Sequence, residues 1–243
     1  MQQYRERIYA SYTNNMYASL NKLDEAGYQS YAKNMLRIYG RFLPTERHAE
    51  ILDAGCGTGQ FLYALKTAGY TNCLGTDISQ EQVNVAKAFK QNAVCANSLE
   101  FLRKKKEQYD VILAKDFVEH LLKDEVIELI SSAYKALKPG GTFICTVPNA
   151  NSPFAARLHY KDFTHEQIFT HESLRQIFIA CGLTPTYIIG EVHVPSTLKG
   201  WIRFAIARAI RFSWRVFMVS ELGRLALRMP LEANLIGVAR KET

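Results

Sequence analysis

The chain has 243 residues, 48% of them hydrophobic and 22% charged, with a formal net charge of +7. That is the size and composition of one globular domain with enough apolar surface for a full core, and it excludes a disordered or low-complexity chain. Residues 1–7 read MQQYRER with no apolar run behind them, no stretch reaches ~18 uncharged apolar residues, and Cys56, Cys73, Cys95, Cys145 and Cys181 stand singly without C-x-x-C spacing, so a signal peptide, a spanning helix, a disulfide framework and a zinc site are not expected and the cytoplasm is the natural compartment.

Residues 1–48 read as an N-terminal helical cap. Seven of the thirteen tyrosines fall there (Tyr4, Tyr9, Tyr12, Tyr17, Tyr28, Tyr31, Tyr39), which points to rings packing this segment onto a core. Residues 49–194 then alternate. Strands are expected at 50–53, 73–77, 93–95, 109–114 and 142–147, with helices at 60–68, 81–90 and 124–137 between them. Ser79 is the expected N-cap of the second helix, with Gln82 as its capping-box partner, and Pro139-Gly140-Gly141 is the expected stop of the third. A helix at 173–181 and a strand at 186–192 follow. A basic helical insertion takes up 195–230, and 231–243 holds the last strand, all within one domain. Strands alternating with helices predict a parallel sheet covered on both faces, and the apolar runs VILA and TFICTV fit strands buried on both sides.

The strongest constellation is Ile51-Leu52-Asp53-Ala54-Gly55-Cys56-Gly57-Thr58-Gly59, a strand ending in an acid and running into glycines that open a helix. Glycines there let the backbone turn tightly and come close to a ligand. The pattern is G-x-G-x-G, not the G-x-G-x-x-G of dinucleotide folds, which favours a ligand without a pyrophosphate. Asp77, at the end of the second strand, stands where an acid accepts hydrogen bonds from ribose hydroxyls; an isolated aspartate at a strand end is as often a helix cap.

Taken in order, D-A-G-C-G-T-G, G-T-D-I-S, Y-D-V-I-L-A and L-K-P-G-G resemble the class I S-adenosylmethionine-dependent methyltransferases over about residues 50–147. The resemblance implies a Rossmann-like, mostly parallel seven-stranded sheet with an antiparallel last strand and helices on both faces. It implies S-adenosylmethionine as cofactor. Asp53 with Gly55, Gly57 and Gly59 would hold the methionine part, and Asp77 the ribose, with Gln82 also on the cofactor side. Ile78 would lie against adenine, Asn97, Ser98 and Leu99 would bind its edge, and Ala114 and Lys115 would sit under the transferable methyl. The family often has Asp where Asn97 stands.

On the acceptor side the loop 148–171 carries P-N-A-N-S-P, D-F-T-H-E and F-T-H-E-S-L, which resemble methyltransferases of bacterial surface-polysaccharide gene clusters, several of which methylate sugar hydroxyls. A hydroxyl acceptor needs a base as the new bond forms, and histidine suits neutral pH. By that resemblance Asp162 and His165 line the acceptor pocket, with His165 as general base and Asp162 able to orient it; His120 is a further candidate. His48 and His193 are expected to be structural, and His171 to lie in a helix's first turn capped by Thr170. The histidines lack tight ligand spacing, so no metal is expected.

The expected activity is O-methylation of a sugar hydroxyl, the sugar being nucleotide-linked, in surface-polysaccharide synthesis. The rivals are methylation of an amine or a quinone-like phenol, and a non-catalytic scaffold with the same fold. Between 195 and 230 seven basic residues face Glu221 alone, which concentrates most of the net charge in one segment. Three uses stand open for it: packing against the sheet edge or a partner subunit in a homodimer, a basic amphipathic helix at 199–228 lying on the inner membrane face, and binding of the acceptor's diphosphate. No nucleic-acid recognition module appears.

Overall fold

Seven strands make one sheet in the order β3-β2-β1-β4-β5-β7-β6. The computed structural model describes residues 3–9, 23–195 and 197–243. β1 (Ile51–Ala54), β2 (Cys73–Asp77), β3 (Ala93–Cys95), β4 (Tyr109–Lys115) and β5 (Leu137–Pro148) pair in parallel, while β7 (Asn234–Arg240) runs antiparallel to both β5 and β6 (Thr184–Gly190). This is the Rossmann-like architecture with an antiparallel last strand that the sequence leads one to expect.

Both faces are covered, and β4 shows why its sequence is a continuous apolar run. Ile112 and Ala114 enter one buried cluster, with residues from α5 (Ser98–Arg103), α6 (Lys123–Ala136) and α8 (His171–Ala180). Val111 and Leu113 enter the other, with residues from α2 (Glu25–Tyr39), α3 (Gln60–Thr67) and α4 (Gln80–Ala88). Among the described N-terminal tyrosines, Tyr28 and Tyr39 are fully buried. Tyr28 stacks on Phe89 at 3.9 Å and donates to the Thr58 carbonyl at 2.7 Å. Tyr39 donates to Glu191 Oε1 at 2.7 Å and meets Thr146 Oγ1 at 2.6 Å. These rings fasten α2 to the end of the sheet that carries the site. The side chain of Tyr9, and Tyr12 and Tyr17 altogether, lie outside the described residues.

Several expected boundaries shift for physical reasons. Pro139-Gly140-Gly141 does not form a free turn. It is a bulge inside β5, between the pairing of Leu137 with Tyr109 and the regular register that starts at Thr142, and Gly140 adopts φ +77° there. β6 starts two residues earlier than expected because Thr184 and Pro185 pair with Arg240 and Ala239. Two short helices, α5 and α7 (Ala155–Tyr160), are too brief to give a periodic signal. Ser79 caps α4 as expected, its Oγ accepting from Gln82 N, but the Gln82 side chain is not spent on closing a capping box: its Oε1 sits over Gly57, where an added Cβ would meet it at 2.7 Å.

Candidate active site

The strand order reverses between β1 and β4, so the loops leaving their carboxyl ends diverge and open a crevice. A cavity of about 710 Å³ occupies it, a size that suits a small-molecule site. Its wall follows the predicted motifs: Asp53 near the end of β1 with Gly55 and Gly57 after it, Asp77 ending β2 with Ile78 and Gln82 after it, Asn97, Ser98 and Leu99 after β3, and Lys115 ending β4. Two predicted contacts are corrected. Ala114 is fully buried in the core beside β5 and does not line the cavity. Gly59 is not on the wall either: at φ +77° it begins α3, and a Cβ there would come within 2.8 Å of Ala86 Cβ, so it is a glycine for helix packing and turn geometry.

The acids on this wall are held apart in function by their partners. Asp77 accepts from Gly57 N at 2.9 Å through one oxygen and from Ser79 N at 2.8 Å through the other. It is a turn cap and a clamp on the glycine loop at once, and its remaining lone pairs are available to a ligand's hydroxyls. Burial raises its pKa, against the backbone donors of Ser79, Gly57 and Ile78 that lower it. Asp53 is fully enclosed, and burial, then repulsion from Asp77, push its carboxyl up to about 7 even with Lys115 nearby. A carboxylate so placed favours a cation beside it. Asn97 and Ser98 do more structural work than expected. Asn97 Oδ1 caps α5 by accepting from Leu99 N at 2.9 Å and Glu100 N, while the Ser98 hydroxyl bonds Thr76 Oγ1 at 2.8 Å in the interior.

Lys115 pairs with Asp116, whose backbone stands at φ +51°. Burial opposes the ammonium's charge, but Asp116, with Tyr31, Tyr39 and Glu191 around it, keeps the pKa well above the usual lysine value. The N-terminal segment closes part of the cavity: Arg5, on α1 (Gln3–Tyr9), lines it and bonds Glu125 Oε2 at 2.8 Å, with Glu166 at 3.7 Å.

The acceptor end joins the loops after β4 and β5, and the structure brings His120, Asp162 and His165, the two histidines 45 positions apart, to the same wall. Asn149 pairs with Phe169, closing the base of the loop, and Glu166 N and Gln167 N donate to the Glu119 carbonyl at 2.8 and 3.0 Å. Within it Thr164 Oγ1 donates to Asp162 Oδ1 at 2.7 Å, so it has no proton left for His120 Nδ1 at 2.8 Å and must accept from it. His165 Nδ1 lies 3.0 Å from the Leu158 carbonyl, which can only accept. Both neutral rings therefore carry the proton on Nδ1 and keep a lone pair on Nε2. Asp162 reaches His120 through Thr164 and also acts on His165 by its charge, and a main-chain carbonyl holds the His165 ring. The rings meet edge-on at 4.8 Å. Burial, then the neighbouring imidazole, bring His120 down to about 4; burial also lowers His165.

Glu119 completes a trio the sequence reading did not single out. One donor atom each from Glu119, His120 and His165 lies within 4.8 Å of the others. Glu119 is buried with an unpartnered Oε2, and burial together with Asp116 raises its carboxyl well above the usual range, which favours the protonated form. The set can share protons with a bound hydroxyl, and in ionised form its donor types also suit a divalent cation. Ligand spacing could not reveal it, because the donors come from loops after β4 and β5. As expected, Thr170 caps α8 and places His171 in its first turn. His48 bonds Thr71 at 3.0 Å and His193 bonds Asn34 at 2.9 Å, and neither lines the cavity.

The profile of the family described as a methyltransferase domain matches residues 26–188. The chain is 29% identical over 161 residues to a ubiquinone biosynthesis O-methyltransferase of Cereibacter sphaeroides, covering 60% of this chain and 64% of that one. It is 36% identical over 104 residues to one of Bartonella bacilliformis, covering 40% and 41%. The matched part thus spans less than two thirds of these relatives. Among solved structures, a SAM-dependent methyltransferase from Archaeoglobus fulgidus aligns at TM-score 0.66 and 23% identity, over 88% of this chain and 93% of that one. A possible histamine N-methyltransferase from Thermotoga maritima aligns at TM-score 0.66 and 15% identity, over 97% and 99%. At these identities the structures support the fold alone. The wall fits S-adenosylmethionine, the cofactor the motifs imply: the glycine turn brings main chain to the cavity, Asp77 offers carboxylate lone pairs, Ile78 and Leu99 present apolar surface, and Asp53 favours a cationic group.

Proposed function

Because this chain belongs to the methyltransferase-domain family, we propose that it moves the methyl group of S-adenosylmethionine to a hydroxyl of a small acceptor bound between the loops after β4 and β5. The observation that carries the hydroxyl is the pair of imidazoles, His120 and His165, each with Nδ1–H tied to a protein acceptor and Nε2 left as a base at the cavity wall. A nitrogen acceptor would have less use for two such bases.

When bound, the cofactor supplies a methyl group on a sulfonium, whose departure as a neutral thioether needs no acid. The chain's own residues do the rest. Asp53 and Asp77 orient the donor, and the glycine loop keeps the reacting end in register with the acceptor. His165 Nε2 takes the acceptor's proton, while the Leu158 carbonyl holds the ring in the productive tautomer. Glu119, buried with an unpartnered Oε2 and with its protonated form favoured by burial and Asp116, is placed to donate to the acceptor's oxygen and fix its lone pair toward the methyl group, while His120 Nε2, its ring fixed through Thr164 to Asp162, is a second site able to accept the proton.

The acceptor class favoured is a phenolic hydroxyl of a quinone-precursor type, supported by the relatives named for ubiquinone biosynthesis and by the exposed rings of Phe154, Tyr160 and Phe163 on the acceptor loop. A sugar hydroxyl is the second reading, and Arg157 and Lys161 on the cavity wall favour it, since they could meet a diphosphate. Release of S-adenosylhomocysteine would be followed with hydroxylated aromatics, nucleotide-activated sugars and primary amines. Turnover with the aromatics alone supports the first reading, and turnover with the sugars alone the second. Turnover confined to amines overturns the hydroxyl assignment.

A further inference from the structure

α9 (Leu198–Leu222) is a 25-residue helix with no buried residue, and its apolar stripe is turned the wrong way for a protein core. At 100° per residue, Leu198, Ile202, Ile206, Phe212 and Val216 share one side, and all are exposed, Leu198 at 79% and Phe212 at 68%. The side that touches the protein carries Phe204, Ala207, Trp214 and Met218 together with Arg211 and Arg215, all of them only partly exposed. There Arg215 donates to the carbonyls of Ala226, Leu227 and Met229, Arg211 lies 3.7 Å from Glu232, and Trp214 Nε1 donates to the Asn151 carbonyl at 3.2 Å. A surface helix ordinarily buries its apolar residues against the protein and shows its charges to water; here a second apolar stripe, on the side away from the protein, is left in solvent.

The cations left over sit where an interfacial helix needs them. Arg203 borders the apolar stripe on one side and Arg208 on the other, with Lys199 at its start; the helix has a single acid, Glu221. The stripe continues into Leu225 and Leu227, exposed and next to Arg224 and Arg228. No described helix is long and apolar enough to cross a membrane. We propose that α9 lies flat on an anionic lipid surface, its apolar stripe among the acyl-chain ends and Lys199, Arg203 and Arg208 at the headgroups. A second copy of the chain fits the same stripe poorly, since pairing would bring two strongly basic strips together. A diphosphate fits poorly too, because the free cations are spread along a convex helix. The bond from Trp214 to Asn151 ties the docked helix to the acceptor loop, so docking would bring the acceptor side of the cavity to the lipid boundary. The surface would bind lipid whatever the acceptor proves to be.

The test is co-sedimentation of the full chain with vesicles of phosphatidylcholine alone and of phosphatidylcholine with phosphatidylglycerol. Cofactor binding and melting temperature serve as folding controls. Partition is expected on the anionic vesicles only. Each cation at such a surface is worth roughly five-fold, so Lys199→Gln/Arg203→Gln/Arg208→Gln should lower partition on the order of 100-fold. Ile202→Ser/Ile206→Ser should abolish it while the controls hold. Absence of partition, equal partition on neutral vesicles, or no response to either set of changes would overturn the proposal. So would a dimer in sedimentation that the serine variant converts to monomer.

Discussion

The enclosed carboxyl of Asp53 makes cofactor binding a proton-linked event. In the free protein burial and Asp77 push it up to about 7 from 3.8. A cationic part of the cofactor beside it would restore the ionised form, and at about 1.36 kcal/mol per pKa unit the full restoration is worth ~4 kcal/mol. Binding above pH 7 meets an Asp53 that is already ionised and should not vary with pH. Below pH 7 the proton has to leave first, so affinity should fall about ten-fold per pH unit. Calorimetry of S-adenosylhomocysteine and S-adenosylmethionine between pH 5.5 and 8, in buffers of different ionisation heat, measures both the affinity and the released proton. Asp53→Asn should bind the cofactor far more weakly at pH 8 and lose the proton release. The same carboxyl should act on folding with the opposite sense. Its folded pKa is raised, so the stability it leaves intact below pH 4 is lost as pH rises through 7, and free Asp53→Asn should be more stable than wild type at pH 8, with the gap closing toward pH 4. Affinity that stays flat from pH 5.5 to 8, with no buffer-dependent heat, would refute the reasoning.

His165→Ala should lower kcat by a factor of about 10²–10⁴ with little change in cofactor affinity, the range expected for loss of a general base. Because burial lowers the His165 pKa, wild-type kcat at saturating cofactor should fall along an acid limb whose midpoint lies below pH 6.5. His120 is neutral in the fold, with a pKa of about 4 against 6.5 when unfolded. It should therefore cost ~3 kcal/mol of stability as pH drops from 6.5 to 4, and urea titrations of His120→Gln should show a shallower acid loss. Thr164→Val leaves the buried His120 Nδ1–H without its acceptor, while Asp162 Oδ1 keeps the main-chain Thr164 N–H at 2.9 Å; the unmet donor should destabilise the fold by roughly 1–3 kcal/mol and lower kcat more than it raises KM. Gly59→Ala forces a Cβ into the left-handed turn and to 2.8 Å from Ala86, so melting temperature should fall and cofactor affinity with it.

The cofactor half of the site was legible because the elements that build it are local. A glycine turn, an acid at a strand end and a short apolar run each occupy a few consecutive residues, and the parallel sheet then aligns their ends. Where the reading went astray, a side chain had two available partners. Gln82 could close a cap or face the glycine loop, and only packing decides; Ala114 and Gly59 sit in the motif yet turn into the core. The acceptor half depends on contacts between distant loops. His120 and Thr164 stand 44 positions apart, so the proton placement on His120 is fixed by a bond that spacing alone cannot reveal. Glu119 carries no signal beyond its place beside His120 until the fold shows it buried and unpartnered. The apolar stripe of α9 was visible as a helical period, but period alone says nothing about which side faces the protein. Its outward turn follows from the bonds made by Arg211, Trp214 and Arg215 on the opposite side.

The most direct test of methyl transfer to oxygen is to supply S-adenosylmethionine labelled with ¹³C in the methyl group and follow the label by NMR with the aromatic, sugar and amine acceptors. The account predicts a new O-methyl signal that needs both acceptor and enzyme and is nearly lost in His165→Ala. A label that ends on nitrogen, or stays on a cofactor shown to be bound while every hydroxyl acceptor is left unchanged, would contradict it.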